Sequence, residues 1–434
     1  MKRIAAALVG LVIVVAASAV AAQSLAPAKP EEVGLSPERL GRVSQFFQKE
    51  VEENRIPGAV VAIARKGRLA YFETFGFSDK AAEAAMPKDA IFRIYSMTKP
   101  LVSVAAMILV EEGRLQLTDP VAKYLPAFAN MQVSVAKLDP FGKVVHGTVS
   151  LDRPISVQDL LRHTAGLAYG EITANAVVKD AYAKAGVYRT DIDYDARGVT
   201  PDEEVAGLAK APLVHQPGTV WEYSLAVDVL GRVVEKASGM RLADFLEERL
   251  FKPLKMSDSG FWVAKEKLPR LAQALAVDPA TGKPNKLIDV TAEPKNDSGG
   301  AGGVSTAMDY LRFVQMMVNG GSLDDTRILS RTTVALMTSD HLGSAIATTM
   351  QPGELLLGVP GYTFGLGFAV RKEAGIAGLP GSAGDFTWGG AAGTYFWGDP
   401  KEQLAVVMMM QSPGPTRPWY RREVRQLVYQ AIAD

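Results

Sequence analysis

The sequence predicts an α/β (α+β) fold: one antiparallel sheet built from both chain ends, flanked by helices, with a mainly helical lobe inserted between them. Three observations carry this. Two β-rich runs stand near the N-terminus, Gly58–Arg65 and Arg68–Phe75, separated by a Lys66-Gly67 turn. Four more stand near the C-terminus, at Phe364–Arg371, Asp385–Trp388, Gly393–Phe396 and Gln403–Met410. Between the two groups the patterns are helical. Strands at both ends of a chain close one sheet, and the middle stands beside it as a second lobe. The boundaries read 23–98 with 295–434 for the sheet lobe and 99–294 for the helical lobe. Together they make one catalytic domain of about residues 31–430, with the ligand cleft at the junction.

The N-terminus comes first in the element order. Lys2 and Arg3 precede an apolar run from Ile4 to Val15, followed by small residues to Ala22. That is a secretory signal peptide over residues 1–22, too short to be a membrane span. The mature protein is therefore expected in the periplasm or outside the cell, with no membrane-spanning segment. Ser36-Pro37-Glu38 then opens a helix running to about Asn54, with Ser36 as N-cap and Pro37 at its first position. In the middle, helices are predicted over Leu101–Glu112, Val157–Arg162, Pro201–Ala209, Leu225–Ala237 and Leu242–Leu250. A glycine loop at Gly299–Gly303 leads into a helix over Ala307–Val318, and Arg421–Ala433 forms the last one.

Composition removes several function classes. Lysine plus arginine equals aspartate plus glutamate, 47 against 47, which offers no basic surface for nucleic acid. There are no cysteines, so neither a thiol nucleophile nor a thiolate metal site exists. The four histidines, at 146, 163, 215 and 341, do not stand at zinc-ligand spacing, and no metal or other cofactor is expected.

The chemistry must then come from hydroxyls. The G-x-S-x-G elbow is absent, while S-x-x-K occurs at Ser96–Lys99 and Ser134–Lys137. A pattern that short arises by chance, so the setting decides. Ser96 opens an almost wholly apolar helix, and residues three apart share a helix face, which sets the Lys99 amine against the Ser96 hydroxyl. A lysine in a partly dry cleft can act as a neutral base, because burial disfavours its charge. The helix N-terminus also supplies N–H groups for a developing oxyanion. Ser134 lies in a short segment that meets Asp139-Pro140. Taken alone, Ser96 reads equally as a helix cap beside a solvated lysine.

Two further segments bear on this. Tyr223 ends the loop that feeds the helix from Leu225, and a phenol beside an ammonium could relay the serine proton. Alone, it reads as a half-buried tyrosine with a satisfied hydroxyl. Trp388-Gly389-Gly390-Ala391 lies between strands, where glycines let a ligand or another backbone approach. Alone, it reads as a bulge beside a core tryptophan.

Taken together, Ser96-Met97-Thr98-Lys99, Tyr223-Ser224-Leu225 and Trp388-Gly389-Gly390 resemble, in order and spacing, the serine β-lactamase and penicillin-binding-protein superfamily. They look most like its class C-related esterase branch, the family VIII carboxylesterases. The segments Leu160–Leu167, Gln216–Tyr223 and Gly299–Thr306 fit the same pattern. The resemblance implies Ser96 as nucleophile and Lys99 with Tyr223 as its proton-transfer pair. It also implies the N–H groups of Ser96 and Ala391 as oxyanion hole, and a structural His163. Two departures select the substrate. Leu225 stands where β-lactamases carry an amide-binding asparagine, and Trp388-Gly389-Gly390 replaces their K-T-G. Losing such polar handles costs discrimination, so Leu225 and Trp388 suit an uncharged acyl or alkyl group. An exported carboxylesterase for small or short-acyl esters is the expectation. The alternatives are a β-lactamase, a D-aminopeptidase or DD-carboxypeptidase or another amide hydrolase on the same fold, and a non-catalytic binding protein.

Overall fold

Strand β1 (Gly58–Arg65) is apolar on both faces, and all eight of its residues are buried. Such a strand belongs inside a sheet covered on both sides. The computed structural model describes residues 25–187 and 196–434, and it places β1 there. The expected signal segment, 1–22, lies outside the described residues. Lys66 and Gly67 both take positive φ, 52° and 73°, which gives the hairpin turn whose twist matches its strands. The turn returns the chain as β2 (Arg68–Asp79), followed by the short β3 (Ala84–Ala85).

The remaining strands of the sheet are β4 (Tyr362–Phe364), β5 (Ala369–Arg371), β6 (Phe386–Gly389), β7 (Tyr395–Asp399) and β8 (Leu404–Met410). The order is β4-β5-β6-β7-β8-β1-β2-β3, with every neighbouring pair antiparallel. β8 pairs with β1 from Ala59↔Met410 to Arg65↔Leu404, so the two chain ends do close one sheet.

Both faces are covered by helices. α1 (Pro37–Glu52) is capped by Ser36, whose Oγ accepts from the Arg39 N–H, with Pro37 in the first turn as expected. Farther along run α2 (Thr98–Glu111), α3 (Ala226–Ser238), α4 (Ala307–Val318) and α5 (Arg417–Tyr429). Successive strand residues point to opposite faces. Phe396 meets Tyr310 of α4 at 5.1 Å between ring centroids, while Trp397 stacks on Tyr429 of α5 at 6.2 Å. Hence α4 and α5 lie on opposite faces of the sheet. α1 joins α5 through Phe46 and Trp419, 5.6 Å apart. Asp385 then fastens α5 down: its Oδ2 accepts from Arg371 at 2.7 Å and from Arg425 at 2.6 Å, all three side chains being fully buried. Away from the sheet α2 packs against α3, and α2 is buried continuously from Thr98 to Leu109.

Several expectations need correction. The single strand read over Phe364–Arg371 is two strands, β4 and β5, reversing at Gly365–Phe368, where Gly365 N–H donates to the Phe368 carbonyl. Gly367 takes φ 94° there, a conformation open to glycine. The last helix starts at Arg417, one turn before the expected Arg421, with Pro418 in its first turn. α2 likewise starts at Thr98 rather than Leu101. Within the segment read as helical, Gln132–Leu138 pairs with Val144–Ser150 as a hairpin. Ser134 and Lys137 therefore lie on a strand, where residues three apart face opposite sides, and the second S-x-x-K cannot bring its groups together.

Candidate active site

The nucleophile candidate stands on a strained turn. Phe92–Arg93 pairs with Val304–Ser305, and the chain then enters one 3₁₀ turn, Tyr95–Met97, before α2. Tyr95 takes φ 45°, unusual for a bulky residue and found where surroundings over-determine the backbone. Those surroundings are explicit. Ile94 N–H donates to the Gly303 carbonyl at 2.9 Å, and Gly303 N–H donates to Thr98 Oγ1 at 2.9 Å. The Tyr95 carbonyl accepts from Thr98 Oγ1 at 2.6 Å, and the Tyr95 hydroxyl accepts from Ile288 N–H. Ser96, at the crest, stays accessible to the cleft.

Lys99 sits one turn on and is only 1% exposed. Its Nζ donates to the Tyr169 hydroxyl at 2.7 Å, to the Gly300 carbonyl at 2.8 Å and, at the long limit, to Ser96 Oγ at 3.5 Å. Gly300 is held in turn by its N–H to Asp228 Oδ1 at 2.9 Å. A Cβ on Gly300 would fall 2.1 Å from the other Asp228 oxygen, so the glycine loop is what lets Asp228 approach. Tyr223 comes from a segment 127 residues away, and its hydroxyl donates to Ser96 Oγ at 2.7 Å. Its ring lies under the Lys99 ammonium, 4.7 Å from the centroid. Tyr169, His163 and Trp388 hold that ring at 5.2, 5.0 and 5.3 Å. The expected trio of Ser96, Lys99 and Tyr223 is thus brought together, with the phenol, not the amine, as the nearest partner of the serine.

His163 is wholly buried, and burial, with the Lys99 charge second, holds its imidazole well below the usual histidine range. It is a neutral ring, hydrogen-bonded through Nδ1 to Ser224 Oγ at 3.1 Å and packed on Tyr223. Its place is to position the phenol, in keeping with a structural role.

Trp388 and Gly389 end β6, and Gly390-Ala391 turn off it. Gly390 N–H donates to the Thr394 carbonyl at 2.8 Å, and the Gly390 carbonyl accepts from Gly393 N–H at 3.2 Å. Ala391 lines the cleft beside Ser96. The cleft has a volume of about 330 Å³, with an apolar wall of Ile172, Leu355, Leu356, Trp388 and Pro418. Glu171, Arg417 and Arg421 reach the same space.

Leu225 does not. It is 1% exposed and packs into the core at the start of α3, so its expected contact with substrate is withdrawn. The helix begins one residue later than read, and its first residue turns inward.

Two participants escaped the sequence. Tyr169 anchors Lys99, and burial raises its hydroxyl well above the ordinary phenol range, keeping it neutral. Its only sequence signal was adjacency to the Leu160–Leu167 segment. Arg421 was read as a helix start, yet it donates to the Gly390 carbonyl at 2.7 Å. Among the described residues no group of three or more histidine, cysteine, aspartate or glutamate side chains is placed to hold a metal ion.

The family profile described as Beta-lactamase matches residues 43–430. Protein Rv1367c of Mycobacterium tuberculosis is 35% identical over 365 residues, covering 82% of this chain and 86% of its own. Esterase EstB of Burkholderia gladioli is 31% identical over 388 residues, covering 85% and 89%. Among solved structures, EstCE1, described as a hydrolase with promiscuous acyltransferase activity, superposes with a TM-score of 0.74 at 29% identity. That superposition covers 90% of this chain and 99% of EstCE1.

Proposed function

The chain belongs to the beta-lactamase family, and on that premise we propose that this serine hydrolase is an exported carboxylesterase for small or short-acyl esters. One observation carries the mechanism: Ser96 Oγ lies 2.7 Å from the Tyr223 hydroxyl and 3.5 Å from Lys99 Nζ at the floor of an open cleft. Tyr223, its hydroxyl proton first lost to solvent through the open cleft, takes the Ser96 proton while Oγ bonds to the ester carbonyl carbon, with the Lys99 side chain over its ring. The N–H groups of Ser96 and Ala391 receive the oxyanion. Collapse breaks the carbonyl–alkoxy bond, and the departing alkoxide takes the proton from Tyr223. Water then attacks acyl-Ser96, gives its proton to the Tyr223 oxygen and releases the acid. That proton passes to Ser96 Oγ.

The similarity to EstB and EstCE1 supports ester cleavage, as does the apolar wall around Trp388. A second reading, cleavage of a β-lactam or a D-peptide amide, draws on Arg417 and Arg421, cations at a cleft that could meet a carboxylate. A p-nitrophenyl butyrate assay run beside nitrocefin and a D-Ala-D-Ala peptide separates the two. Turnover of the lactam or peptide alone would end the ester reading. A fluorophosphonate probe should label Ser96 and no other residue by peptide mapping. A protein that resists the probe and hydrolyses nothing is a binding protein on this fold. Export is tested by following the native chain through cell fractionation for loss of residues 1–22.

A further inference from the structure

Among the described residues no carboxylate pairs with Arg421. The residue is 4% exposed, and among the described residues its hydrogen bonds go to two carbonyls, Gly390 at 2.7 Å and Leu356 at 3.0 Å, while its Nε has no hydrogen-bond partner. Burial, with the Arg417 charge adding to it, lowers this guanidinium to about 9, still charged at neutral pH. Burying a cation without a counter-ion is costly. The surrounding residues make way for it all the same. A Cβ on Gly389 would stand 2.7 Å from the guanidinium carbon, so glycine at 389 leaves its place open. A Cβ on Gly390 would stand 2.4 Å from the Ile94 carbonyl, which keeps the strand end against the nucleophile turn. Four residues on, Arg425 is clamped to Asp385, which holds this face of α5 in position.

The geometry points to Arg421 as the positioning residue of the oxyanion hole. It grips the Gly390 carbonyl and thereby aims and polarises the Ala391 N–H of the same peptide. In a trans peptide the C=O and the following N–H point in opposite directions. Both polar groups of Gly390 are engaged, the N–H by Thr394 and the carbonyl by Gly393 and Arg421. The Ala391 N–H therefore points opposite to the gripped carbonyl, and Ala391 itself lines the cleft together with Ser96. The Gly393 contact, at 3.2 Å, is the ordinary turn bond; the guanidinium, at 2.7 Å, adds a full charge that draws electron density from the peptide. A hole pinned this way needs no reorganisation when the oxyanion forms. Arg421 touches no reacting atom and acts through the peptide.

This rests on Ser96 and Ala391 acting as proposed above, and the test separates the two ideas. Arg421→Met, Arg421→Lys and Gly389→Ala are made in the full chain and assayed with p-nitrophenyl butyrate. An aryl boronic acid, whose adduct on Ser96 puts a negative oxygen in the same hole, is titrated in parallel. Removing one oxyanion donor outright costs about 10²–10³ in kcat, so losing its support should cost about ten- to a hundredfold. KM should stay within about threefold, boronate affinity should fall in step with kcat/KM, and Arg421→Lys should recover part of the loss. Gly389→Ala keeps the arginine but drives it off the carbonyl, so it should lower kcat in the same way even where Arg421→Met fails to fold. Near-wild-type kcat in Gly389→Ala and in any folded Arg421 variant overturns the proposal. So does a loss confined to KM for carboxylate-bearing esters, which would make Arg421 a substrate-binding residue. A wild type that binds the boronate but ignores esters sinks the ester reading alone. One that binds no boronate and takes no fluorophosphonate sinks the Ser96 reading and this inference with it.

Discussion

Replacing Tyr223 by phenylalanine tests the proton path most directly, because it removes one oxygen and leaves the packing. The ring keeps its packing on Tyr169, His163 and Trp388, while the hydroxyl's 2.7 Å bond to Ser96 Oγ and its hydrogen bond with Tyr169 are lost. A partly buried hydroxyl pair is worth about 0.5–1.5 kcal/mol net, so the melting temperature should fall by only a few degrees. Activity should respond far more. The next polar group, Lys99 Nζ, stands 3.5 Å from Ser96 and is committed to Tyr169 and Gly300, too far and too occupied to replace the phenol without moving. General-base loss typically costs about 10²–10⁴-fold, or about 3–5 kcal/mol of barrier at 1.36 kcal/mol per decade. The assay is kcat and KM for p-nitrophenyl butyrate, with thermal melts on the same samples. Lys99→Met should cost a similar amount, and the double variant little more, since grouped catalytic residues act as a unit. A kcat within about tenfold of wild type in Tyr223→Phe, or additive losses in the double variant, would refute the path.

Ser96→Ala should abolish fluorophosphonate labelling and turnover while shifting the melting temperature by no more than about 2 °C, since its Oγ caps no helix and its hydrogen bonds to Tyr223 and Lys99 are worth about 0.5–1.5 kcal/mol net; retained labelling would place the nucleophile elsewhere. Gly390→Ala should cost at least about a hundredfold in kcat/KM, because its methyl would stand 2.4 Å from the Ile94 carbonyl, and backbone cannot swing aside. Wild-type rates in that variant would show that the strand end and the nucleophile turn are not coupled. Burial raises the Asp309 carboxyl to about 6, so folding takes up a proton between pH 6 and the ordinary 3.8, and native stability rises as the pH falls through that window. Above pH 6 its ionised form costs up to about 3 kcal/mol. Asp309→Asn keeps an acceptor for Asp258 N–H and Ser259 Oγ. It should melt above wild type at pH 8, with the gap closing by pH 5; a lower melting temperature throughout would show that the charge is stabilising.

Much of the site was legible because its parts are local. Ser96 and Lys99 are one helical turn apart, and Tyr223 directly precedes a helix, so each could be placed on a rigid element from neighbouring residues alone. The same holds for the Ser36-Pro37 helix start and the Lys66-Gly67 turn. Leu225 shows the limit. A one-residue difference in where α3 starts moved its side chain from the expected cleft into the core, and no local pattern resolves a boundary that finely. The hairpin of Gln132–Leu138 with Val144–Ser150 was missed because both strands are largely exposed and carry no apolar alternation of the buried kind.

What the sequence determined by itself was the inventory: hydroxyl chemistry without cysteine, strands at both chain ends, and three motifs each fixed over a few residues by period, cap and turn. The tertiary structure decided who meets whom. It set the phenol closer than the amine to Ser96, brought Tyr169 to Lys99, and slid a charged arginine beneath Gly389 to reach a carbonyl 31 residues away in the chain. Those meetings depend on how every helix and strand between the partners packs, a sum over the whole core that no short stretch of residues contains.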